Sequence, residues 1–292
     1  MARGGDAWNS GGQLEGHHND GTFHEAHRSK VFTFEGESDR FAQVARGGTQ
    51  RYAAVESAAV NAKALQQVLF IDDGGVMNDN SVRQGEWRRL VGEFMPQHLG
   101  GEPHQWAEAN IVTFPPMWES LVPRLDTFTS HAAFQREYDL AWLRGMCDYI
   151  GIAMPEDGPA LRITREASLY ISSRARSAFP GASEAVRTLH DAGYELHTAS
   201  GESSWELHGY LSGMGVRDCF GTLFGPDLVD VMKAGPEYYR RMFAFAGVDP
   251  ADALVIDDSE SAAGWAREAG ANALRIGEDA KSLAELVAAR LT

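Results

Sequence analysis

Short strand-like runs recur along the chain from residue 68 onward. The first, Val68–Ile71, is too short for a helix and leads into two aspartates and two glycines, which is typical of a buried strand that enters a tight loop. Similar runs occupy residues 194–198, 222–224 and 253–256, and amphipathic helical patterns lie between them. Apolar strands that alternate with helices predict an α/β fold with a parallel sheet.

A long helical pattern interrupts this alternation after the first strand. Apolar side chains repeat at helical spacing from Trp87 to Phe94 and again from Phe134 to Trp142. We therefore predict that residues 81–179 form an inserted helical domain, and that residues 67–80 and 180–292 together form the α/β core. Residues 1–66 are rich in glycine, asparagine, histidine and charge, and are predicted to be a disordered tail.

Polar residues follow three of the predicted strands directly. Asp72, Ser200 and the pair Asp257-Asp258 each follow a strand-like run directly. Ligands of open α/β sheets bind beyond the carboxyl ends of the strands. The sequence therefore predicts that these three segments converge on one crevice.

Four segments resemble, in the right order, the motifs of the haloacid dehalogenase-like (HAD) hydrolase superfamily. They are Asp72-Asp73-Gly74-Gly75-Val76, Thr198-Ala199-Ser200, Lys233-Ala234-Gly235-Pro236 and Val255-Ile256-Asp257-Asp258-Ser259. The resemblance covers about residues 68–276. It implies a Rossmann-like parallel sheet core with an inserted α-helical cap domain, and a hydrolase that forms an aspartyl intermediate.

On this resemblance, the first three motifs supply the catalytic and substrate-binding groups. Asp72 would be the nucleophile, Lys233 would reach both the nucleophile and the transferred group, and Ser200 would donate a hydrogen bond to the charged oxygens of the substrate. The amide of Gly201, at the predicted start of the next helix, would add a second donor. Each residue also has a structural alternative: an Asx-turn or helix cap for Asp72, a helix N-cap for Ser200 and an exposed surface lysine for Lys233.

The fourth motif carries the candidate metal ligands. Asp257 and Asp258 form an acidic pair suited to the oxygen coordination that Mg²⁺ prefers, with Asp72 and the backbone carbonyl of Gly74 completing the predicted site. The alternative is that the acidic pair caps a helix beginning near Glu260.

One position departs from the pattern of most phosphatases that this chain resembles. They carry a second aspartate two residues after the nucleophile, where this chain has Gly74. That aspartate protonates the leaving group, and a general acid is typically worth about 10²- to 10⁴-fold in rate.

Three functions therefore remain open. Magnesium-dependent phosphoryl hydrolysis of a small phosphorylated metabolite is favoured, because an intact acidic pair has little use without phosphate. The second is a metal-independent 2-haloacid dehalogenase, in which aromatic and basic side chains of the insertion bind a halide and a carboxylate. The side chains concerned are Trp87, Trp106, Trp118, Trp142, Arg83, Arg88 and Arg89. The third is a non-catalytic member that binds a phosphorylated metabolite or a protein.

Composition and charge argue against several classes of binding partner. The formal net charge is −15 and the pI about 5.1, which argues against nucleic acid as a partner. No apolar run approaches the roughly 18 residues of a membrane span, and the amino terminus lacks a secretory pattern, so we expect a cytoplasmic protein without a membrane association. Cys147 and Cys219 are far apart and do not suggest a disulfide or a zinc site.

Overall fold

Five parallel strands form the sheet in the part of the chain that the structure describes. A computed structural model of the protein describes residues 68–291, so the tail predicted at residues 1–66 lies outside the described residues. The strands are β1 (Val68–Ile71), β2 (Glu195–Ala199), β3 (Leu223–Phe224), β4 (Ala253–Asp257) and β5 (Asn272–Arg275). Their order across the sheet is β3-β2-β1-β4-β5, and every neighbouring pair is parallel. The predicted α/β fold with a parallel sheet is confirmed.

The central strand β1 is buried on both faces. Leu69 is paired in register with Leu196 of β2 and with Leu254 of β4. Leu69 and Ile71 belong to one apolar cluster and Phe70 belongs to another, because successive side chains of a strand point to opposite faces. Helices cover both faces, which explains why β1 is a continuous apolar run rather than an alternating one.

Four long helices lie between β1 and β2 in the chain. They are α1 (Asn80–Leu99), α2 (Pro103–Leu121), α3 (His131–Ile150) and α4 (Asp157–Arg174), with a 3₁₀ helix at Val122–Thr127. Their apolar side chains, among them Trp106 and Trp142, form a third cluster that is separate from the two clusters on the sheet. We call residues 80–174 the helical insertion; the predicted boundaries of a cap domain stay a prediction.

The chain returns from the insertion in an extended segment rather than in the helix that the sequence pattern predicts. Helix α4 ends at Arg174, and Ala178 pairs with Asn78 in an antiparallel bridge. Phe179 donates its backbone N–H to the carbonyl oxygen of Met77 at 2.9 Å. The outgoing and returning connections are therefore paired with each other, and this backbone pairing replaces the last helical turn.

The remaining helices alternate with strands β2 to β5. They are α5 (Ala182–Asp191), α6 (Ser204–Met214), α7 (Pro226–Val229), α8 (Pro236–Ala246), α9 (Glu260–Glu268) and α10 (Leu283–Leu286), followed by a π-helical turn at Val287–Leu291. Helix α8 begins at Pro236, directly after Gly235 of the third motif. No described helix is both long enough and apolar enough to cross a bilayer.

Candidate active site

The loop after β1 carries the predicted nucleophile. Asp72 follows the last residue of the strand, and its backbone N–H donates to the carbonyl oxygen of Ile256 in β4 at 2.9 Å. This bond fixes Asp72 at the carboxyl edge of the sheet. The residue is 6% exposed. Its carboxylate is paired with a lysine ammonium, and within the described residues it accepts no backbone hydrogen bond of an Asx-turn or helix cap.

Lys233 is the partner of that carboxylate. Its Nζ lies 2.9 Å from Oδ1 of Asp72 and 2.7 Å from Oδ2 of Asp257. The lysine side chain is 9% exposed, so the alternative of an exposed surface lysine is wrong. Burial disfavours the ammonium charge, but the carboxylates of Asp257 and Asp72 outweigh burial and raise the pKa of Lys233. The lysine is therefore held in its charged form between the first and fourth motifs.

The acidic pair lies beside the nucleophile. Ligand oxygens of Asp72, Asp257 and Asp258 all lie within 4.8 Å of one another. The backbone N–H of Ser259 donates to Oδ1 of Asp257, and the Ser259 hydroxyl, not an aspartate, caps helix α9. The alternative in which the acidic pair caps the helix therefore does not hold.

The electrostatics of this carboxylate cluster favour a bound cation. Burial, and then the charges of Asp257 and Asp258, raise the pKa of Asp72 against the opposing effect of Lys233. Burial and Asp257 likewise raise the pKa of Asp258. Three carboxylates and one ammonium carry a net charge of −2 when all are ionised. A divalent cation would neutralise this charge, and three carboxylate oxygens are ligands of the type that Mg²⁺ prefers. The described side chains therefore fit a magnesium ion.

The glycines after the nucleophile leave room for this cluster. Gly75 has a φ of +81°, which favours glycine, and a Cβ at this position would lie 2.0 Å from Oδ2 of Asp258. The close approach of Asp258 to the loop thus requires a residue without a side chain. Gly74 is buried and pairs with Asn78 in an isolated bridge. The metal-binding role of its carbonyl oxygen stays a prediction.

Ser200 ends the second motif, directly after β2. It is 1% exposed, and its Oγ accepts a hydrogen bond from the backbone N–H of Glu202 at 3.1 Å, which leaves the hydroxyl hydrogen available to donate. Helix α6 begins at Ser204 with Ser203 as its N-cap, so the N-cap alternative for Ser200 is wrong. The same finding corrects the expectation for Gly201. Its amide lies in the loop before the helix, because the capping box of Ser203 starts the helix later than predicted.

Two tyrosines at the start of α8 were not anticipated from the sequence. The hydroxyl of Tyr238 lies 2.9 Å from the carbonyl oxygen of Ser200, to which it can donate a hydrogen bond. Tyr239 is fully buried, and its hydroxyl has no hydrogen-bond partner within residues 68–291. Burial outweighs the opposing charge of Lys233 and raises the pKa of Tyr239, so its hydroxyl is uncharged. The signal in the sequence was the position of both rings in the first turn of the helix after Lys233.

A buried ionic network, also missed from the sequence, joins the insertion to the sheet edge. Arg83 of α1 is 5% exposed, with Nη2 at 2.5 Å from Oδ2 of Asp73 and Nη1 at 3.2 Å from Oε1 of Glu202. Its guanidinium also lies over the ring of Tyr210, 4.5 Å from the centroid. The first motif and the loop after the second motif are thus both in contact with one side chain of the insertion.

Replacement of Glu206 by glutamine is expected to reduce the decrease in the free energy of unfolding that accompanies a rise in pH. Burial, followed by the charge of Glu202, raises the pKa of Glu206 from 4.5 to about 8, so the folded protein keeps a proton that the unfolded chain releases. The resulting stability is present below pH 4.5 and is lost as the pH rises through about 8, by up to about 1.4 kcal/mol per pH unit. Thermal midpoints of both proteins between pH 5 and 9 measure the effect.

Glutamine is a matched replacement because it preserves the capping box in which residue 206 accepts from the N–H of Ser203. Buried acids that do not interact with Glu206 contribute equally to both proteins, so the difference between the two curves reports Glu206 and its interactions with Glu202 and Asp139. Parallel curves would contradict a raised pKa at this residue.

The comparisons with known proteins agree with this architecture. A family model described as haloacid dehalogenase-like hydrolase matches residues 53–270. The chain therefore belongs to the haloacid dehalogenase-like hydrolase family, as the four motifs predicted.

Individual relatives are more distant. Over 115 residues the chain is 30% identical to "Putative phosphatase YhcW" of Bacillus subtilis (strain 168), a match that covers 39% of this chain and 51% of that protein. The chain thus spans about half the length of this curated relative.

Solved structures share the fold. The defluorinating L-2-haloacid dehalogenase Rha0230 superposes with a TM-score of 0.54 at 15% identity, over 77% of this chain and 95% of that one. The magnesium-bound YfnB of Bacillus subtilis superposes with a TM-score of 0.50 at 16% identity, over 72% of this chain and 86% of that one. At these identities the similarity concerns the fold alone.

Proposed function

We propose that the protein is a magnesium-dependent phosphohydrolase that acts on a small phosphorylated metabolite through an aspartyl intermediate on Asp72. The observation that carries this proposal is the convergence of the Asp72, Asp257 and Asp258 oxygens within 4.8 Å, next to a buried ammonium. Such a cluster suits a reaction in which an anionic nucleophile must approach an anionic phosphate. A carbon–halogen bond carries no charge that would call for a divalent cation.

In the first step a carboxylate oxygen of Asp72 attacks phosphorus, an acyl phosphate bond forms and the bond to the leaving oxygen breaks. Lys233 orients the carboxylate of Asp72 and offsets negative charge, while the hydroxyl of Ser200 donates to a phosphate oxygen. Water then hydrolyses the acyl phosphate, which releases phosphate and regenerates Asp72. Mg²⁺, when bound by Asp72, Asp257 and Asp258, supplies charge neutralisation of the phosphate.

Four of the seven side chains named for a 2-haloacid dehalogenase are engaged elsewhere. Arg83 is paired with two carboxylates, and Arg89 is paired with Glu86 and Glu93 on the surface. Trp106 and Trp142 are buried in the core of the insertion, and their indole N–H groups donate to partners there. This arrangement favours phosphoryl hydrolysis, although the glycine at position 74 is compatible with dehalogenation too.

One assay separates the three candidate functions. The purified protein is incubated with aryl, alkyl and acyl phosphates and with 2-halopropionates, each with Mg²⁺ and with a chelator. We expect phosphate release that requires Mg²⁺ and no halide release. Halide release in the presence of the chelator would establish the dehalogenase function instead. Binding of a phosphorylated compound without any turnover would identify a non-catalytic member.

Restoration of an acid at position 74 tests the phosphatase proposal more sharply. Gly74→Asp is expected to raise hydrolysis of alkyl phosphates about tenfold and to change that of nitrophenyl phosphate little. An alkoxide leaving group needs a proton in the transition state, whereas nitrophenolate leaves without one. The measurement is the ratio of variant to wild-type turnover, determined once with an alkyl phosphate and once with nitrophenyl phosphate.

Gly74→Ala is the matched control, because it adds a side chain without a proton donor. Gly74 is buried, so a loss shared by both variants measures steric crowding. If the aspartate variant gains nothing over the alanine variant on alkyl phosphates, the alignment of Gly74 with the missing acid is wrong.

A further inference from the structure

Asp73, the residue after the nucleophile, accepts the hydrogen bonds that close the loop after β1. Asp73 is fully buried, and its carbonyl oxygen accepts hydrogen bonds from the backbone N–H groups of Met77 and Asn78 at 2.9 and 2.8 Å. Its Oδ1 accepts a third from Nδ2 of Asn78 at 2.6 Å. The loop that presents Asp72 is therefore closed around the side chain and the carbonyl group of Asp73.

This loop is also tied to both connections of the helical insertion. The hydroxyl of Ser177, on the returning connection, donates to Oδ1 of Asn78 at 2.9 Å. The backbone N–H of Asp79, on the outgoing connection, donates to the carbonyl oxygen of Ser177 at 2.7 Å. A displacement of the insertion would thus be transmitted to the loop of the nucleophile.

Arg83 links that loop to the second motif. One end of its guanidinium pairs with Asp73, next to the nucleophile, and the other pairs with Glu202, whose backbone N–H donates to Oγ of Ser200. Asp73 is adjacent in the chain to the predicted nucleophile Asp72, and Glu202 is hydrogen-bonded to the predicted donor Ser200. A planar guanidinium sets two carboxylates at a fixed separation, which a flexible ammonium cannot do.

We propose that Arg83 is a positioning residue, which fixes the loops of Asp72 and Ser200 relative to each other through Asp73 and Glu202. The inference rests on the proposed function for its kinetic consequence. A buried ion pair adds little net stability over an apolar packing of the same volume, whereas its geometry is specific. The network therefore has its main effect on where the nucleophile and the hydroxyl donor lie.

The test compares Arg83→Met and Arg83→Lys with Arg136→Met. Arg136 also pairs with a carboxylate of the insertion, that of Asp157 at 2.8 Å, but on the exposed surface. We expect kcat to fall about 100-fold in Arg83→Met, since displacements of about 1 Å have such effects. Arg83→Lys should recover about a tenth of the wild-type kcat, and Arg136→Met should equal wild type.

A double-mutant cycle separates positioning from stability. If Arg83 acts through Asp73, Arg83→Met combined with Asp73→Asn should lower kcat no more than the worse single variant does. Multiplicative losses in kcat would overturn the proposal, and so would a wild-type kcat in Arg83→Met with only a lower thermal midpoint.

Hydrogen exchange gives a readout that does not depend on turnover. We expect faster amide exchange at residues 72–78 and 199–203 in Arg83→Met or, if that variant does not fold, in Arg83→Lys, and no change there in Arg136→Met. Faster exchange confined to residues 80–99 would overturn the proposal. If the wild type hydrolyses no substrate, the proposed function fails, and the exchange pattern alone decides the role of Arg83.

Discussion

Asp72→Asn is expected to abolish turnover, with kcat at least about 10⁴-fold below wild type, while the protein remains folded. An amide is not a nucleophile, and the neighbouring carboxylate of Asp73 is fully buried and paired with Arg83. Because burial raises the pKa of Asp72, the neutral side chain should not lower the thermal midpoint. Steady-state kinetics and thermal unfolding of the same preparation check both statements.

The control is Asp249→Asn, which makes the same chemical change at an exposed aspartate. Asp249 accepts from the backbone N–H of Ala251, a bond that asparagine can replace, so this variant should equal wild type in both measurements. Turnover of Asp72→Asn within tenfold of wild type would remove Asp72 from the mechanism.

Lys233→Met is expected to lower kcat about 10³-fold, because it removes the charge that orients Asp72 and offsets the developing negative charge. It also leaves two buried carboxylates without their ammonium, which costs about 3–5 kcal/mol of stability. Mg²⁺ should then raise the thermal midpoint more in the variant than in wild type, since it would neutralise the same oxygens. It should not restore turnover.

Lys281→Met is the matched control, since Lys281 is exposed. Its kcat and its midpoint with and without Mg²⁺ should equal those of wild type. A midpoint of Lys233→Met that does not respond to Mg²⁺ would argue against magnesium at these carboxylates.

The sequence predicted the fold and the convergence of the motifs because both follow from local patterns. Four-residue apolar runs that end in aspartate identified strands β1 and β4, and the strand-like run before Ser200 identified β2. Parallel pairing then brings their carboxyl ends together. Strand β5 was missed. Its residues, Asn272-Ala273-Leu274-Arg275, are partly exposed at the sheet edge and form no apolar run.

The network around Arg83 could not be predicted in this way. The spacing of Arg83, Asp73 and Glu202 in the chain gives no local signal, and the contacts exist only because the start of α1 lies beside the loops that follow β1 and β2. The start of helix α6 was predictable in principle, since Ser203 and Glu206 form a capping box. The sequence thus named candidate site residues whose side chains cluster in the structure, such as Asp72, Lys233 and Asp257, but not the contacts that support them.

The position of β1 has a consequence for synthesis on the ribosome. The strand is the first of the sheet to be made, yet its two pairing partners begin at Glu195 and Ala253. The helices of the insertion contact residues that are nearer in the chain, so they can form while both edges of β1 are still unpaired. Such an apolar, unpaired strand is a site for chaperones and for aggregation in nascent chains. A product released before residue 253 would carry Asp72 without the strand that holds its backbone in place.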